Sequence, residues 1–340
     1  MDSALPFPLL HRLLDEAAAY DAEYGDGLSN HLPMAWLALA RLGADEARLR
    51  EWGAQYVLRR ALHPARVREP WPAGDAWTGR LGRRRAWPIY LDLFEQWLAH
   101  EGASAVLPQV LPALLPGVAA AAFHGLIRTA AGVQAGHAGE VAQGLAHWAV
   151  WHQPLGPMPL VSPNSKHAEA DPAVLLRRLR AGSSGASLIS ARIDAAAADG
   201  EVSRVAGRLI VDEGTPERLA RAAAFAYAET GNFTALHLVT GTQAMRVLAR
   251  FVDEGEARLA AWRCYWQAFA HGVVGAQLRP IAQQAAQAPV LREWPALVAL
   301  ARQAQDEHFI KLVDACREEE RCYGGDDWRR AASRAAMAVA

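Results

Sequence analysis

A histidine and a lysine three positions apart, in the stretch DEHFIKLVDAC (Asp306 to Cys316), have the clearest capacity for chemistry in this chain. On a helix, His308 and Lys311 project from neighbouring points of one face. Lys311 stands out by composition, because only it and Lys166 among the 35 basic residues are lysines; the rest are arginines. An ammonium offers three donors and no acceptor, so it cannot ligate a metal. A deprotonated amine can act as nucleophile or base, or take up CO2 and become a carbamate, an anionic oxygen ligand. The competing reading is an amphipathic lysine whose stem packs while its head reaches water.

The chain has twelve histidines. His11, His63, His100, His152 and His167 stand in polar or Pro-flanked surroundings typical of a surface or a loop end. His31, His124, His237 and His308 stand in apolar, helical settings on four different helices, and Lys311 is one turn from the last. A lone histidine of this kind is more often a satisfied core residue than a ligand. Four together fit a metal held by inward side chains from separate helices. His137, His147 and His271 are rivals by the same pattern. There is no H-E-x-x-H, no paired E-x-x-H, no Gly-rich phosphate loop and no G-x-S-x-G elbow.

The elements that would position these residues read as helices. Ala, Leu, Arg and Glu dominate, and alternating β patterns are almost absent. Helices are expected over 8–24, 32–42 (with Ser29-Asn30 as cap and Pro33 in the first turn) and from Asp45 to about 62. Residues 63–88 carry Pro, Gly, Arg and Trp without period and read as a long functional loop or lid. Further helices are expected over 89–100, from 103 to 136 with interruptions at Pro108, Pro112 and Pro116, and over 138–150. After a Pro-rich loop at 153–166 they follow over 187–198, 202–213, 215–230, from Asn232 onward, 256–277, 279–287, 295–322 and to about 338. The expectation is an all-α fold of roughly a dozen helices, one large domain over 1–340 around a buried site.

Composition narrows the function. With 35 basic and 36 acidic residues, the net charge of -1 argues against a nucleic-acid partner. Three cysteines form no C-x-x-C pair and no disulfide framework. The N-terminal segment lacks a basic n-region, and no apolar run reaches the roughly 18 residues of a membrane span, so a cytoplasmic location is the default expectation. The sequence specifies no oligomeric state.

Four blocks, SNHLPMAWLALARLGA (29–44), FHGLIRTAAG (123–132), LHLVTG (236–241) and DEHFIKLV (306–313), resemble in this order the signature segments of the questin oxidase-like family. The resemblance spans nearly the whole chain. It implies an all-α non-haem iron oxygenase of the type that oxidatively opens anthraquinone-type polyketides. The ligands it implies are His31, His124, His237, His308 and a carboxylated Lys311. Two departures stand out. Fungal relatives tend to carry a second histidine where this chain has Arg128, and extra histidines where it has Pro33-Met34-Ala35.

Four imidazoles and a carbamate oxygen exceed the four ligands of structural zinc and suit ferrous iron, Fe(2+), with a position left open. The implied partners are O2 and a small aromatic polyketide. NADPH has no motif here. Arg128, one turn from His124, is the candidate catalytic residue: it could anchor a substrate phenolate or carboxylate, or pair with a structural acid. Trp71, Trp77 and Trp87 are candidates for a wall or lid over a flat substrate. Two other classes compete: a metallohydrolase using a carboxylated lysine, and a non-catalytic helical scaffold whose histidines are core.

Overall fold

The computed structural model describes residues 7–198, 200–278 and 289–339. Among them are sixteen α-helices and one two-stranded hairpin, so the fold is all-α. The helix expected over 279–287 lies outside the described residues.

Four helices form the centre: α2 (Leu32–Arg41), α6 (His124–Ala135), α12 (Phe233–Ala249) and α15 (Glu307–Tyr323). They pack in a closed circuit, α2 on α6, α6 on α12, α12 on α15 and α15 back on α2. The sequence explains their place. Every residue of α2 from Leu32 to Ala40 is buried, as is nearly all of α12, which is the pattern of a helix apolar on all sides and surrounded by others. The fourth, α15, is amphipathic and keeps Arg317 and Arg321 on its outer side.

The remaining helices wrap this circuit. The closest packing is between α6 and α7 (Ala138–Trp151), and glycine makes it possible. A Cβ on Gly125 would lie 2.6 Å from the Trp148 Cα, and one on Gly144 would lie 2.4 Å from the Thr129 backbone nitrogen. Both separations are below any real carbon contact, so only glycine fits.

Several expected boundaries moved. The first helix ends at Ala17, not near residue 24, because the chain turns into a hairpin, Glu23–Tyr24 against Leu28–Ser29, across Gly25 and Gly27 at positive φ. Pro108 and Pro112 do not interrupt α5 (Ala103–Leu114), since burial of Val106, Leu107, Val110 and Leu111 outweighs the two lost amide bonds. Residues 207–214 are not helical; Leu209 instead bridges to Glu169. The expected long helix over 295–322 is two, α14 (Trp294–Gln303) and α15, broken at Ala304–Asp306.

Candidate metal centre

The break before α15 sets the position of His308. Asp306 is the N-cap, and its Oδ1 accepts the His308 backbone N–H at 2.8 Å. His308 therefore sits in the first turn. His31 is itself the N-cap residue of α2, with its backbone N–H bonded to Tyr56 Oη at 2.9 Å. Asn30 Oδ1 accepts the Leu32 N–H at 3.0 Å, which steadies the same turn. His124 is the first residue of α6, and His237 is the fifth of α12, whose N-cap Asn232 bonds the Thr234 and Ala235 amides. Each helix of the central circuit thus presents a histidine at or near its N-terminus.

The four imidazoles form a ring. Centroid separations are 4.6 Å for His31–His124, 5.0 Å for His124–His237, 5.5 Å for His237–His308 and 4.6 Å for His308–His31. Each Nδ1 has a close polar partner. His124 Nδ1 donates to the Ala121 carbonyl at 2.5 Å and His237 Nδ1 to the Phe233 carbonyl at 2.8 Å. His308 Nδ1 lies 3.4 Å from Asp306 Oδ1, and His31 Nδ1 lies 3.0 Å from Lys311 Nζ. A carbonyl or carboxylate on Nδ1 fixes the tautomer and aims Nε2 away, the usual support for a metal-binding imidazole. His124 Nε2 is buried with no hydrogen-bond partner. An orphaned imidazole nitrogen in a ring of three others is what a divalent metal would satisfy.

Electrostatics agree. Burial, then the neighbouring Lys311 and imidazoles, hold His31 and His124 well below the usual histidine pKa; His237 is lowered in the same way. Burial lowers His308 as well. The imidazoles are therefore neutral at pH 7, the form a metal would require. Lys311 is buried, and burial pulls its pKa down to about 8, with Glu307 and Asp306 opposing. The reading of Lys311 as a surface-reaching amphipathic lysine does not match this burial.

Glu307 escaped the sequence reading. It is 1% exposed, and His31, Glu307 and His308 bring ligand atoms within 4.8 Å of one another. That trio is an alternative metal set, but Glu307 Oε1 already accepts Arg60 Nη2 at 2.5 Å. A carboxylate so paired is a weaker ligand than an orphaned imidazole, so Glu307 reads as a group supporting His308.

A cavity of about 430 Å³ opens in front of the ring, lined by His31, His124, His237 and His308 and by Leu28, Phe233, Arg60 and Arg192. Phe233 stands edge-on to His237 and His308, at 4.8 and 4.6 Å, and is half exposed.

Other candidates lie elsewhere. Arg128 is 1% exposed and forms a bidentate pair with Glu140, Nε to Oε1 at 2.7 Å and Nη2 to Oε2 at 3.1 Å. It does not line the cavity, so its geometry is the structural-acid pairing and not the substrate anchor. Trp87 is fully buried, Trp71 leans on Tyr90 and Trp77 on Phe94, so the three tryptophans pack around α4 (Trp87–Glu101) and form no wall of the cavity. His137 caps α7 through the Glu140 amide, His271 bonds the Gln267 carbonyl and His147 faces Glu23; none joins the ring.

Compared with known proteins, the chain matches the family model described as questin oxidase-like over residues 28–316. That span holds all four histidines and Lys311. No curated protein matches the chain. Among the described residues no helix is long and apolar enough to cross a membrane.

Proposed function

The chain belongs to the questin oxidase-like family, which implies an oxidoreductase, and we propose that it is a non-haem iron oxygenase that opens a ring of a polycyclic aromatic polyketide by cleaving a carbon–carbon bond. One observation carries the reading: four neutral imidazoles form a ring with neighbouring centroids 4.6–5.5 Å apart, and His124 Nε2 is orphaned within it. His31, His124, His237 and His308 would hold Fe(II), and bound iron would supply the activation of O2.

Lys311 would supply the fifth ligand as a carbamate. Its neutral amine attacks CO2, a nitrogen–carbon bond forms, one carbon–oxygen π bond becomes an oxygen anion, and Nζ releases a proton to solvent. Burial favours this, because it raises the fraction of free amine. Helix ends favour it too. The N-terminal turns of α2, α6, α12 and α15 all face the site, and their partial positive charge stabilises an anion there. The same field opposes a bare cation, so an anionic ligand offsets the charge of the metal.

The rest of the site orients and dries the substrate. Phe233 offers an exposed aromatic edge at the mouth of the ring. Leu28, Leu188 and Ile189 give the cavity apolar walls that fit a flat aromatic body. The supporting experiment is metal analysis of the purified chain with oxygen uptake on hydroxylated anthraquinones. About one iron per chain and iron-dependent uptake is the expected result. Two zinc-like ions per chain would replace this reading with a metallohydrolase, and no metal after iron reconstitution would replace it with a non-catalytic scaffold.

A further inference from the structure

The cavity lining has two parts of different chemistry. One is the ring of imidazoles. The other is the start of α9 (Ile189–Ala197), where Ser187, Leu188, Ile189 and Ser190 line the wall together with Arg192. His124, more than nine-tenths buried and with an unpartnered Nε2, lines the same cavity, so the metal ring and the start of α9 share one space.

Arginines near the site differ in how they are paired. Arg60 donates to Glu307 and Arg128 to Glu140. Arg192 has no carboxylate partner among the described residues. Its Nη2 reaches only the Ser187 carbonyl, at 3.3 Å, and its Nε is buried with no partner at all. A guanidinium edge left unpaired in a partly enclosed space is costly, and an anionic oxygen is its natural complement. The helix beside it acts in the same sense. Leu188 at the N-cap makes no side-chain cap bond, so no side chain competes for the first-turn amides of α9. The guanidinium and the positive end of the helix would therefore bear on one anion.

We propose that Arg192, with the first turn of α9, is the specificity clamp of this cavity: it binds an anionic oxygen, carboxylate or phenolate, on an aromatic substrate and seats the ring toward Phe233 and the histidines. The inference rests on the reading of this cavity as the substrate site and deepens it. It gives Arg192 the anchoring role that spacing alone had offered to Arg128.

The test uses naphthalene-2-carboxylate and its neutral isostere naphthalene-2-carboxamide, titrated calorimetrically into the full chain as isolated and again after chelation of its metal. The carboxylate should bind roughly tenfold or more tightly than the amide in both samples. Arg192→Gln should remove that preference while leaving amide binding and metal content unchanged. Arg192→Lys should keep part of it, which separates lost charge from lost fold. Arg192 also borders a second cavity with Arg180, and Arg180→Gln should leave the preference intact. A 2-naphthol arm across its ionisation separates the two sources: affinity rising with ionisation assigns the clamp to phenolates as well, and flat affinity assigns it to carboxylates. Equal binding of carboxylate and amide to the wild type would overturn the clamp. So would a preference that survives Arg192→Gln and vanishes on chelation, an outcome that moves the anion to the metal and leaves the metal reading standing. An Arg192-dependent preference in a chain that holds no metal would do the reverse.

Discussion

Lys311 Nζ lies 3.0 Å from His31 Nδ1, across 280 positions of sequence. The contact ties the first turn of α2 to α15, the two helices that close the central circuit. Two donors cannot face each other at that distance, so one of the pair presents a lone pair. His31 is held well below the usual pKa, so its neutral imidazole presents the Nδ1 lone pair, while burial lowers Lys311 only to about 8 and leaves it largely protonated near pH 7.

The consequence for metal binding is specific. Lys311→Arg should lose iron and oxygen uptake as completely as Lys311→Ala, because a guanidinium stays protonated and cannot become a ligand. Lys311→Glu should recover part of the iron by supplying a carboxylate. Added bicarbonate should raise iron loading in the wild type and in none of the three variants. Iron per chain and oxygen uptake read the result, and full loading of Lys311→Arg would end the carbamate proposal.

The same lysine sets a pH dependence in the metal-free, CO2-depleted protein. Its folded pKa is lowered from 10.5 to about 8 by burial, with Glu307 and Asp306 opposing. Between those values the unfolded chain binds the extra proton, so stability rises with pH across the window and is lost as pH falls toward 8. The contribution is up to about 3 kcal/mol. Thermal unfolding at pH 7.5 and 9.5 should show a rise in the wild type that Lys311→Met lacks. Parallel curves for the two proteins would show that the lysine is not desolvated.

Much of this site was legible because it rests on local signals. Asn232 and Asp45 are caps at the expected places, and the four apolar-flanked histidines need only a helix each to be recognised. What was not legible depends on distant partners. Arg128 is one turn from His124, yet nothing in the spacing says that Glu140 on α7 takes its guanidinium. Tryptophans 71, 77 and 87 have the composition of a lid, but side-chain identity does not say which face of a loop they pack on. The break before α15 had a readable signal that went unused: Asp306 followed by Glu307 is a cap with an acidic first turn, placed inside an otherwise helical pattern. Missing it hid Glu307, which the break carries into the site.

The Arg128–Glu140 pair should behave as structure. Both side chains are sealed, so Arg128→Met alone would strand a carboxylate and should cost about 3–5 kcal/mol in chemical denaturation. Replacing both, Arg128→Met with Glu140→Leu, should recover most of that loss, and the iron content of the double variant should match the wild type. A double variant that folds well but cannot bind iron would give Arg128 a place in the site.

The last relationship is between His124 and the turn before it. Ala121, Ala122 and Phe123 all have positive φ, at 47°, 56° and 67°. A left-handed backbone costs a residue with a Cβ roughly 1–2 kcal/mol, so three in a row are held only by strong surroundings. The surroundings are visible: Phe123 is fully buried, and the Ala121 carbonyl accepts His124 Nδ1 at 2.5 Å. The strained turn is thus what aims His124 into the ring. Ala122 lines the cavity but is itself buried against the core, so substitutions there read the backbone together with the packing. Ala122→Gly should be neutral or stabilising by up to about 1 kcal/mol, since relief of strain is partly offset by the entropy of glycine. Ala122→Val should destabilise, because a β-branched residue tolerates this region worst. The two variants should differ by about 2 kcal/mol in denaturant unfolding, with Val the less stable and the slower to take up iron. Equal stabilities would show that the turn stores no strain and that His124 is aimed by its own helix alone.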